Sequence, residues 1–367
     1  MKTKISRFIA VSVAVVLSVG ITSCSGKKRP DVIITYSRGS LCLAPIQIAA
    51  VNGYFKEEFE NAGYTFDFVE VDTGTAPELI AAGKADASAT LSASNILPIQ
   101  NGLNITFTGG LHTGCTKYFV KKDSTINSVK DLKGKKIGVI SQGDSATINI
   151  KRILAAEGFK VEGDNADVQI LFFPQTDLPL ALENGAIDLA GMHELHLTSD
   201  YINADKMIQS FMGLFAYKSQ EAYGFKTLID TLTDDKFSKE YCCQSYVTTD
   251  LVRNKPEAAA AYTRAILKGA AFVQANPEET ARIQIENHFV EGDPVLNGKI
   301  LKILNYNPGI KEAKQTIANI TNELKEIGLL NKDVNTAKFV SEHFTVLSGV
   351  PESYIYNGDG TFTEIWD

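Results

Sequence analysis

Hydrophobic and polar positions follow the same order twice along this chain. Each copy has a segment that alternates like a strand, then a short turn, then a helix that begins near a proline and ends at a glycine. Both copies share the spacing Pro-x5-Gly-x2-Asp, because proline suits the first turn of a helix and glycine its end. The strand, turn and helix are residues 65–71, 73–75 and 77–83 in the first copy and 167–173, 175–177 and 179–185 in the second.

The segments before the two copies also correspond. A strand at residues 32–36 and a helix through Ala50 precede the first copy, and a strand at 136–140 and a helix through Ala156 precede the second. Strand–helix–strand–helix–strand is the order of a doubly wound parallel sheet. The sequence therefore predicts an α/β fold with two doubly wound lobes, joined by two crossing strands, and a ligand crevice between the lobes.

The last third of the chain is predicted to be largely helical. Asn254 is the predicted N-cap of a helix that has Pro256 in its first turn. Further helices are predicted after Pro277 and from residue 313 to 327, and residues 241–249 resemble a strand that returns to the first lobe. The predicted boundaries are 31–117 plus 245–367 for the first lobe and 118–244 for the second.

The N-terminal residues predict a processing signal. Three basic residues precede an uncharged apolar stretch that is shorter than the ~20 residues a membrane-spanning helix needs. The stretch ends in Ile-Thr-Ser-Cys, which resembles the lipobox of bacterial lipoproteins; a plain signal peptide and a transmembrane anchor are the alternatives. The resemblance implies a protein held in the cell envelope by lipid alone, facing the periplasm or the cell exterior. The predicted parts are a signal peptide 1–23, the lipidated Cys24 and a tether 24–30.

Composition narrows the possible partners. The formal net charge is −7, and it becomes more negative when the three basic residues of the signal are removed. An acidic chain without a basic run argues against nucleic acid as a partner. With 367 residues and a hydrophobic content of 44%, the chain is large enough for two domains.

Several motifs resemble the type 2 periplasmic-binding-protein superfamily, in its nitrate/sulfonate/taurine-type branch. That branch includes proteins similar to the pyrimidine-precursor enzymes of thiamine synthesis. The resemblance implies a monomeric, non-enzymatic two-lobe trap that needs no cofactor. It also implies that the trap passes a small polar or anionic organic molecule to an ABC permease and its ATPase. The motifs are Asn-Gly-Tyr-Phe at 52–55, Thr-Gly-Thr-Ala-Pro-Glu-Leu at 73–79, Ala-Gly-Lys-Ala-Asp at 82–86 and Val-Lys-Asp-Leu-Lys-Gly-Lys-Lys-Ile-Gly-Val at 129–139.

The loops after the strands are the predicted crevice, because ligands of open α/β sheets bind at the carboxyl ends of the strands. Backbone N–H groups at residues 141–147 precede a helix and favour an anion, although Asp144 would repel an oxyanion unless it caps the helix itself. Arg38 is expected to pair with a carboxylate or sulfonate, or else to be a solvated loop charge. The predicted ligand-binding residues are Arg38, Ser40, Leu41, Cys42, Thr75, Ser92, Ser94, His112, Thr113, Cys115, Ser145, Ala146, Thr147, His193, Glu194 and Cys243.

Four cysteines remain once Cys24 is assigned to lipidation, and all fall near the predicted crevice. Three interpretations stay open for these thiols and the nearby imidazoles. They could bind a transition metal or metal complex, form disulfides that include one between adjacent Cys242 and Cys243, or line a pocket for an organic solute. The candidate metal ligands are His112, Cys115, His193, His196 and Cys243.

Three classes of function are compatible with these features. A solute-binding protein is the leading hypothesis, and no catalytic residue is assigned. A second hypothesis is an exported enzyme, either related to pyrimidine-precursor synthesis or using His112 and Cys115 as a nucleophile pair. A third is a surface adhesion or sensor module. Saturable binding without turnover distinguishes the first from the second.

Overall fold

The computed structural model describes residues 29–71, 75–193 and 215–366. The predicted signal peptide 1–23, Cys24, most of the tether, the turn residues 73 and 74, Glu194 and His196 lie outside the described residues. The strands are β1 Val32–Ser37, β2 Phe66–Val71, β3 Ala87–Leu91, β4 Ile105–Thr113, β5 Thr116–Val120, β6 Lys136–Val139, β7 Gln169–Phe172, β8 Leu189–His193, β9 Lys226–Asp230, β10 Tyr241–Thr248, β11 Ser353–Tyr356 and β12 Phe362–Ile365. The helices are α1 Ala44–Val51, α2 Tyr54–Ala62, α3 Ala76–Ala81, α4 Ser92–Gln100, α5 Ser145–Ala156, α6 Leu178–Glu183, α7 Phe215–Tyr223, α8 Thr249–Asn254, α9 Pro256–Ala275, α10 Pro277–Glu286, α11 Pro294–Ile303, α12 Lys311–Glu326 and α13 Thr336–His343.

Two five-stranded sheets share one plan. The first has the order β2-β1-β3-β10-β4 and the second has the order β7-β6-β8-β5-β9. In the first sheet β1 runs parallel to β2 and β3, and β10 runs antiparallel to β3 and β4. In the second sheet β6 runs parallel to β7 and β8, and β5 runs antiparallel to β8 and β9. The prediction of two α/β lobes is confirmed, but each sheet is mixed because one strand in each arrives from the other sheet.

The repeated aspartate has the same role in both sheets. The Asp86 carboxylate accepts a hydrogen bond from the Ile33 N–H at 2.8 Å, at the start of β1. The Asp188 carboxylate accepts one from the Lys136 N–H at 2.9 Å, at the start of β6. The Asp86 N–H in turn donates to the Ile33 carbonyl, and the Asp188 N–H donates to the Lys136 carbonyl, at 2.8 Å in both cases. The repeated motif therefore ties the end of a helix to the first strand of its sheet.

The repeated glycine ends the helix that precedes this aspartate. Gly83 has φ +67° after α3, and Gly185 has φ +73° after α6. This left-handed conformation is the usual way to terminate a helix, and glycine adopts it without a steric penalty. The shared spacing in the sequence thus reflects two copies of one helix stop and one strand anchor.

The two connections between the sheets run side by side. The chain passes from β4 to β5 through Gly114 and Cys115, and it returns from β9 to β10 through residues 231–240. The Thr231 hydroxyl accepts hydrogen bonds from the N–H groups of Cys115 at 3.1 Å and Thr116 at 2.9 Å. The same hydroxyl donates to the Thr116 carbonyl at 2.8 Å. Thr231 therefore fastens the returning connection to the outgoing one.

The helical last third differs from the predicted pattern at one boundary. Asn254 is the last residue of α8 and not the N-cap of α9, which begins at Pro256 directly after Lys255. Lys255 has φ −143°, an extended conformation favoured in a residue before proline. Two helices therefore meet at this point.

The first core is built around α9, whose Ala258–Val273 segment is almost wholly buried against the first sheet and α1. The second sheet has its own clusters around α5 and α6. Within the described part of the chain, no helix combines the length and the apolar character needed to cross a membrane.

Candidate functional site

A cavity lies between the two sheets, beside the two connections. It has room for a water-sized molecule over about 20 Å³, and its atom-free space is about 310 Å³ when the solvent at its mouth is included. Its walls come from α4 and α12 on the side of the first sheet, from α5 on the side of the second, and from both connections. We call it the inter-sheet cavity. Its lining residues are Ala93, Gly114, Ser145, Asn149, Arg152, Thr231, Phe237, Glu240, Tyr241, Cys242 and Ile320.

Helix α5 directs its first turn into this cavity. Ser145, its first residue, is 1% exposed, and its hydroxyl oxygen has no hydrogen-bond partner among the described residues. Asp144 is the N-cap and accepts from the Ala146 N–H at 2.9 Å. The Asp144 carboxylate therefore caps α5. This is the arrangement that the sequence analysis required for an anionic ligand at this loop. Ala146 and Thr147 are buried in the same turn, and the Thr147 hydroxyl donates to the Ser141 carbonyl at 2.6 Å.

A buried ion network spans the cavity. The Arg152 guanidinium, whose side chain is 1% exposed, contacts Glu240 at 2.7 Å and Glu323 at 2.8 Å. It also donates to the Asn149 side-chain oxygen at 3.2 Å, and Lys236 adds a second cation at 2.6 Å from Glu323. Because Arg152 lies on α5 and Glu323 on α12, the network connects the second sheet's helices to the first sheet's.

The charge of Glu323 is stabilised by this network. Desolvation by burial raises its pKa, but Arg152 and Lys236 lower it by a larger combined effect, so the pKa lies below the ordinary value. The carboxylate therefore stays ionised between the sheets and holds one cation from α5 and one from the returning connection.

The four thiols gather at one end of the cavity. The sulfurs of Cys115 and Cys242 are 2.7 Å apart. Cys42 and Cys243 are in contact with each other, and Cys42 also contacts Cys115. Cys42, Cys115 and Cys243 are buried, whereas Cys242 is partly exposed and lines the cavity. The sequence placed these cysteines near one crevice, and the structure brings all four together.

Thiol protonation is unequal in the cluster. Hydrogen bonds from Cys115 and then from Cys243 lower the pKa of Cys42 well below its ordinary value, against the effect of burial. Contact with Cys242 and Cys42, together with burial, raises the pKa of Cys115. The pKa of Cys242 is raised, because its contact with Cys243 and its burial outweigh the lowering effect of a hydrogen bond with Cys115. The pKa of Cys243 is raised in the same way, because its contact with Cys42 and its burial outweigh the hydrogen bond with Cys242. A negative charge in the cluster is therefore best held on Cys42.

The two histidines have different surroundings. His112 is fully buried, with its Nδ1 3.2 Å from the Thr113 carbonyl and its ring 5.0 Å from that of Tyr306. Its Nε2 has no hydrogen-bond partner of good geometry among the described residues, but the ring interacts with the Cys42 thiol and helps to lower the pKa of that thiol. The Nδ1 of His193 lies 3.1 Å from the Thr116 hydroxyl, and its Nε2 lies 3.1 Å from the Asp144 carboxylate. The His193 side chain therefore links the start of β5 to the N-cap residue of α5.

The predicted metal set is only partly within the described residues. His196 falls outside them, and the Cys115 sulfur lies 4.0 Å from Nδ1 of His193. Within residues 29–71, 75–193 and 215–366, no group of three or more His, Cys, Asp or Glu side chains is arranged to hold a metal ion. Metal binding by His112, Cys115, His193, His196 and Cys243 stays a prediction.

The other predicted ligand-binding residues are distributed around the cavity and beyond it. Arg38 pairs with Glu70 at 3.0 Å, and both side chains are substantially exposed outside the cavity lining. Thr75 is exposed and also lies outside this lining. Ser40 and Leu41 are buried before α1. The Ser92 hydroxyl donates to the Tyr241 carbonyl at 2.7 Å, and the Thr113 hydroxyl accepts from the Asn305 amide at 3.2 Å. The buried Ser94 hydroxyl has no partner among the described residues.

Sequence reasoning missed five lining residues with polar side chains, which are Asn149, Arg152, Thr231, Glu240 and Tyr241. Asn149 and Arg152 follow Ser145 by four and seven positions, so they lie on the same face of α5. That spacing could have identified them once Ser145 was chosen. Glu240 offered no comparable signal, because its contact with Arg152 joins residues 88 positions apart.

The comparison with protein families decides where the chain belongs. The model of the family described as NMT1/THI5 like matches residues 42–280, which include both copies of the repeat and both connections. This chain belongs to the NMT1/THI5-like family. The match covers more than half of the chain and ends within α10, so α11–α13 and the β11–β12 hairpin lie beyond it.

One curated relative and several solved structures are similar to this family member. An aliphatic sulfonates-binding protein of Bacillus subtilis (strain 168) is 29% identical over 204 residues, which are 54% of this chain and 57% of the relative. The chain thus matches little more than half the length of that relative.

The structural similarity extends over most of the chain. The periplasmic aliphatic sulphonate binding protein of Escherichia coli superposes with a TM-score of 0.61 at 16% identity, covering 89% of this chain and 97% of the other. The periplasmic nitrate-binding protein of Synechocystis PCC 6803 gives a TM-score of 0.62 at 14% identity, covering 86% and 87%. At these identities the structures establish a shared fold, which is the periplasmic-binding-protein fold expected from the sequence.

Proposed function

We propose that this chain is the solute-binding component of an ABC importer. It captures a small polar or anionic organic molecule of the sulfonate, nitrate or pyrimidine type between its two lobes. The observation that carries the proposal is the inter-sheet cavity, which has walls from both sheets and a buried, unpartnered Ser145 hydroxyl at the start of α5.

The chemistry of the cavity supports a polar solute. The start of a helix has free N–H groups and a partial positive charge, which favour acceptor or anionic groups. Ser145 can donate a hydrogen bond to such a group, and the Asn149 amide lines the same face. Arg152 is already paired with two carboxylates, so the solute is held mainly by neutral donors.

The relatives support the transport role. The B. subtilis relative and the E. coli structure are named for binding aliphatic sulfonates, and the Synechocystis structure is named for binding nitrate. A permease and an ATPase are the partners that this role requires. The N-terminal sequence adds export and a lipid anchor at Cys24, which hold the protein in the cell envelope.

The test is a titration of the purified protein with three solutes, an alkanesulfonate, nitrate and an aminopyrimidine. Isothermal titration calorimetry is expected to show saturable binding of one class with one site per chain. Mass spectrometry of the recovered solute is expected to find it unchanged. Conversion of the solute would support the enzyme hypothesis instead, and absence of saturable binding for all three classes would refute the proposed ligand range.

A further inference from the structure

The two connections between the sheets each place a cysteine at the same point. Cys115 lies in the outgoing connection, between the last residue of β4 and the first of β5. Cys242 is the second residue of β10, directly after the returning connection. Thr231 fixes the two backbones to each other beside them, through its hydrogen bonds to Cys115 and Thr116. The antiparallel pairing of β10 with β4 sets Tyr241 opposite Thr113 and Cys243 opposite His112, and it therefore holds Cys242 beside the segment that leads to Cys115.

The distance between these two sulfurs discriminates between the interpretations left open by the sequence. Two thiolates on one tetrahedral zinc ion, with Zn–S bonds of ~2.3 Å, lie about 3.8 Å apart. The Cys115 and Cys242 sulfurs are 2.7 Å apart, which is closer than shared metal ligation requires. A disulfide brings its sulfurs to about 2.05 Å, so these two sulfurs are within about 0.7 Å of bonding distance.

Access to the pair is through the partly exposed Cys242. Cys242 lines the inter-sheet cavity, whereas Cys115 is buried behind it. A disulfide oxidant at the protein surface therefore meets the exposed part of Cys242 first, with Cys115 in place to complete the reaction.

We propose that Cys115 and Cys242 form a disulfide that covalently joins the two connections between the sheets. In the structure both thiols are free. The pairing differs from the adjacent Cys242–Cys243 bond considered from the sequence, and it leaves Cys42 and Cys243 as the second, buried pair of thiols.

The oxidant is an organic disulfide such as oxidised glutathione, and the reaction is thiol–disulfide exchange. The pKa of Cys242 is raised, so the thiol must first lose its proton to water; its thiolate then attacks one sulfur of this disulfide, which forms a mixed disulfide and releases one molecule of thiol. The Cys115 thiolate then attacks the Cys242 sulfur, which forms the Cys115–Cys242 bond and releases the second thiol. The protein pair loses two electrons and two protons, and the organic disulfide gains them as two thiols.

The bond would enclose the whole second sheet in one covalent loop. Strands β5 to β9 all lie between residues 115 and 242. A cross-link across a long loop restricts the unfolded chain and so stabilises the folded one. The oxidised protein is therefore expected to unfold at a higher temperature than the reduced protein.

The test uses the purified full-length protein equilibrated with oxidised glutathione. Remaining thiols are blocked with iodoacetamide in denaturant, and the unreduced digest is analysed by mass spectrometry. We expect one linked peptide pair that contains Cys115 and Cys242. We expect this pair to disappear in Cys115→Ser and to persist in the matched variant Cys42→Ser. Dithiothreitol is expected to lower the melting temperature of the oxidised wild-type protein by several degrees and to leave that of Cys115→Ser unchanged.

The wild-type digest alone can overturn the proposal, so the test does not depend on whether a variant folds. Alkylation of both Cys115 and Cys242 after oxidation would contradict it. A bond from Cys242 to Cys243 or to Cys42 would contradict it too. Protection of the thiols by near-stoichiometric metal, measured on the same preparation, would replace the disulfide with a metal site.

Discussion

Ser145 has an energetic reason to meet a ligand. Its hydroxyl oxygen is buried without a partner among the described residues. Leaving a buried polar group unsatisfied costs ~1–3 kcal/mol, which a hydrogen bond to a solute would offset. We therefore expect the side chain to contribute more to solute binding than to the stability of the solute-free protein.

Replacing Ser145 with alanine tests this role. We expect Ser145→Ala to raise the solute dissociation constant by about tenfold, the effect of a hydrogen bond of ~1.4 kcal/mol. The melting temperature of the solute-free protein should not fall, because no protein–protein hydrogen bond is lost. Ser341→Ala, an exposed serine on α13, is the control and should leave both quantities unchanged. Equal affinity of Ser145→Ala and wild type would remove Ser145 from the site.

The sequence could predict only some residues of the cavity. Ser145 was accessible because it follows a strand and begins a helix, and both features are local. The Arg152 network was not accessible, because the partners Glu240 and Glu323 are 88 and 171 positions away. Arg38 shows the opposite case: its position after β1 favours a ligand contact, yet the parallel pairing of β1 with β2 places Glu70 beside it.

At the scale of elements, Gly114 controls how closely the two connections approach. It has φ +45°, and a Cβ placed on it would lie 2.5 Å from the Thr231 carbonyl oxygen. Gly53 also has positive φ, at +78°, but a Cβ there meets nothing within 4 Å. A comparison of substitutions at the two glycines therefore separates two contributions to the loss of stability: the left-handed backbone conformation, which both share, and the close contact, which only Gly114 has.

A pair of alanine variants tests this difference. Gly53→Ala is expected to lower the free energy of unfolding by ~1–2 kcal/mol, the cost of a left-handed conformation for alanine. Gly114→Ala is expected to lower it further, because backbone atoms of Thr231 must also move. Urea denaturation measures both values. A smaller loss for Gly114→Ala than for Gly53→Ala would show that the connections are not closely packed.

The ion network between α5 and α12 predicts a pH dependence. The pKa of Glu323 is lowered in the folded protein. Its contribution to stability is therefore present above the unfolded pKa of about 4.3 and is lost as the pH falls through the lower folded value. We expect Glu323→Gln to lower the free energy of unfolding by ~1–3 kcal/mol at pH 7.

The same comparison at lower pH checks the cause. The difference between wild type and Glu323→Gln should shrink as the pH falls from 5 to 3 in urea denaturation. Glu326→Gln is the matched control, since Glu326 is exposed on the same helix, and it should have little effect at any pH. A Glu323→Gln difference that does not change with pH would exclude the ion network as its source.

The elements themselves were largely predictable where the signal was local. Both copies of Pro-x5-Gly-x2-Asp correspond to a helix stop and a strand anchor, at Asp86 and Asp188. The α8–α9 boundary was not predictable from the cap pattern, because Asn254-Lys255-Pro256 fits the end of one helix as well as the start of the next. The β11–β12 hairpin was missed because its four-residue strands carry little periodicity.

For the whole molecule, the two-lobe architecture followed from the repeat, whereas the mixed sheets did not. Strand order within a sheet depends on pairings between distant segments, and β10 inserts between β3 and β4 from more than a hundred residues away. The same insertion creates the second connection. It therefore also places Tyr241 and Cys242 in the wall of the inter-sheet cavity.

The central claim is that the solute is held between the two sheets. The most direct measurement is a crystal structure of the protein with the solute that the titration selects. We predict solute density in the inter-sheet cavity, with one polar group at the start of α5 and contacts to β10 or α12 from the other side. Density that touches only one sheet, or that lies outside this cavity, would contradict the claim.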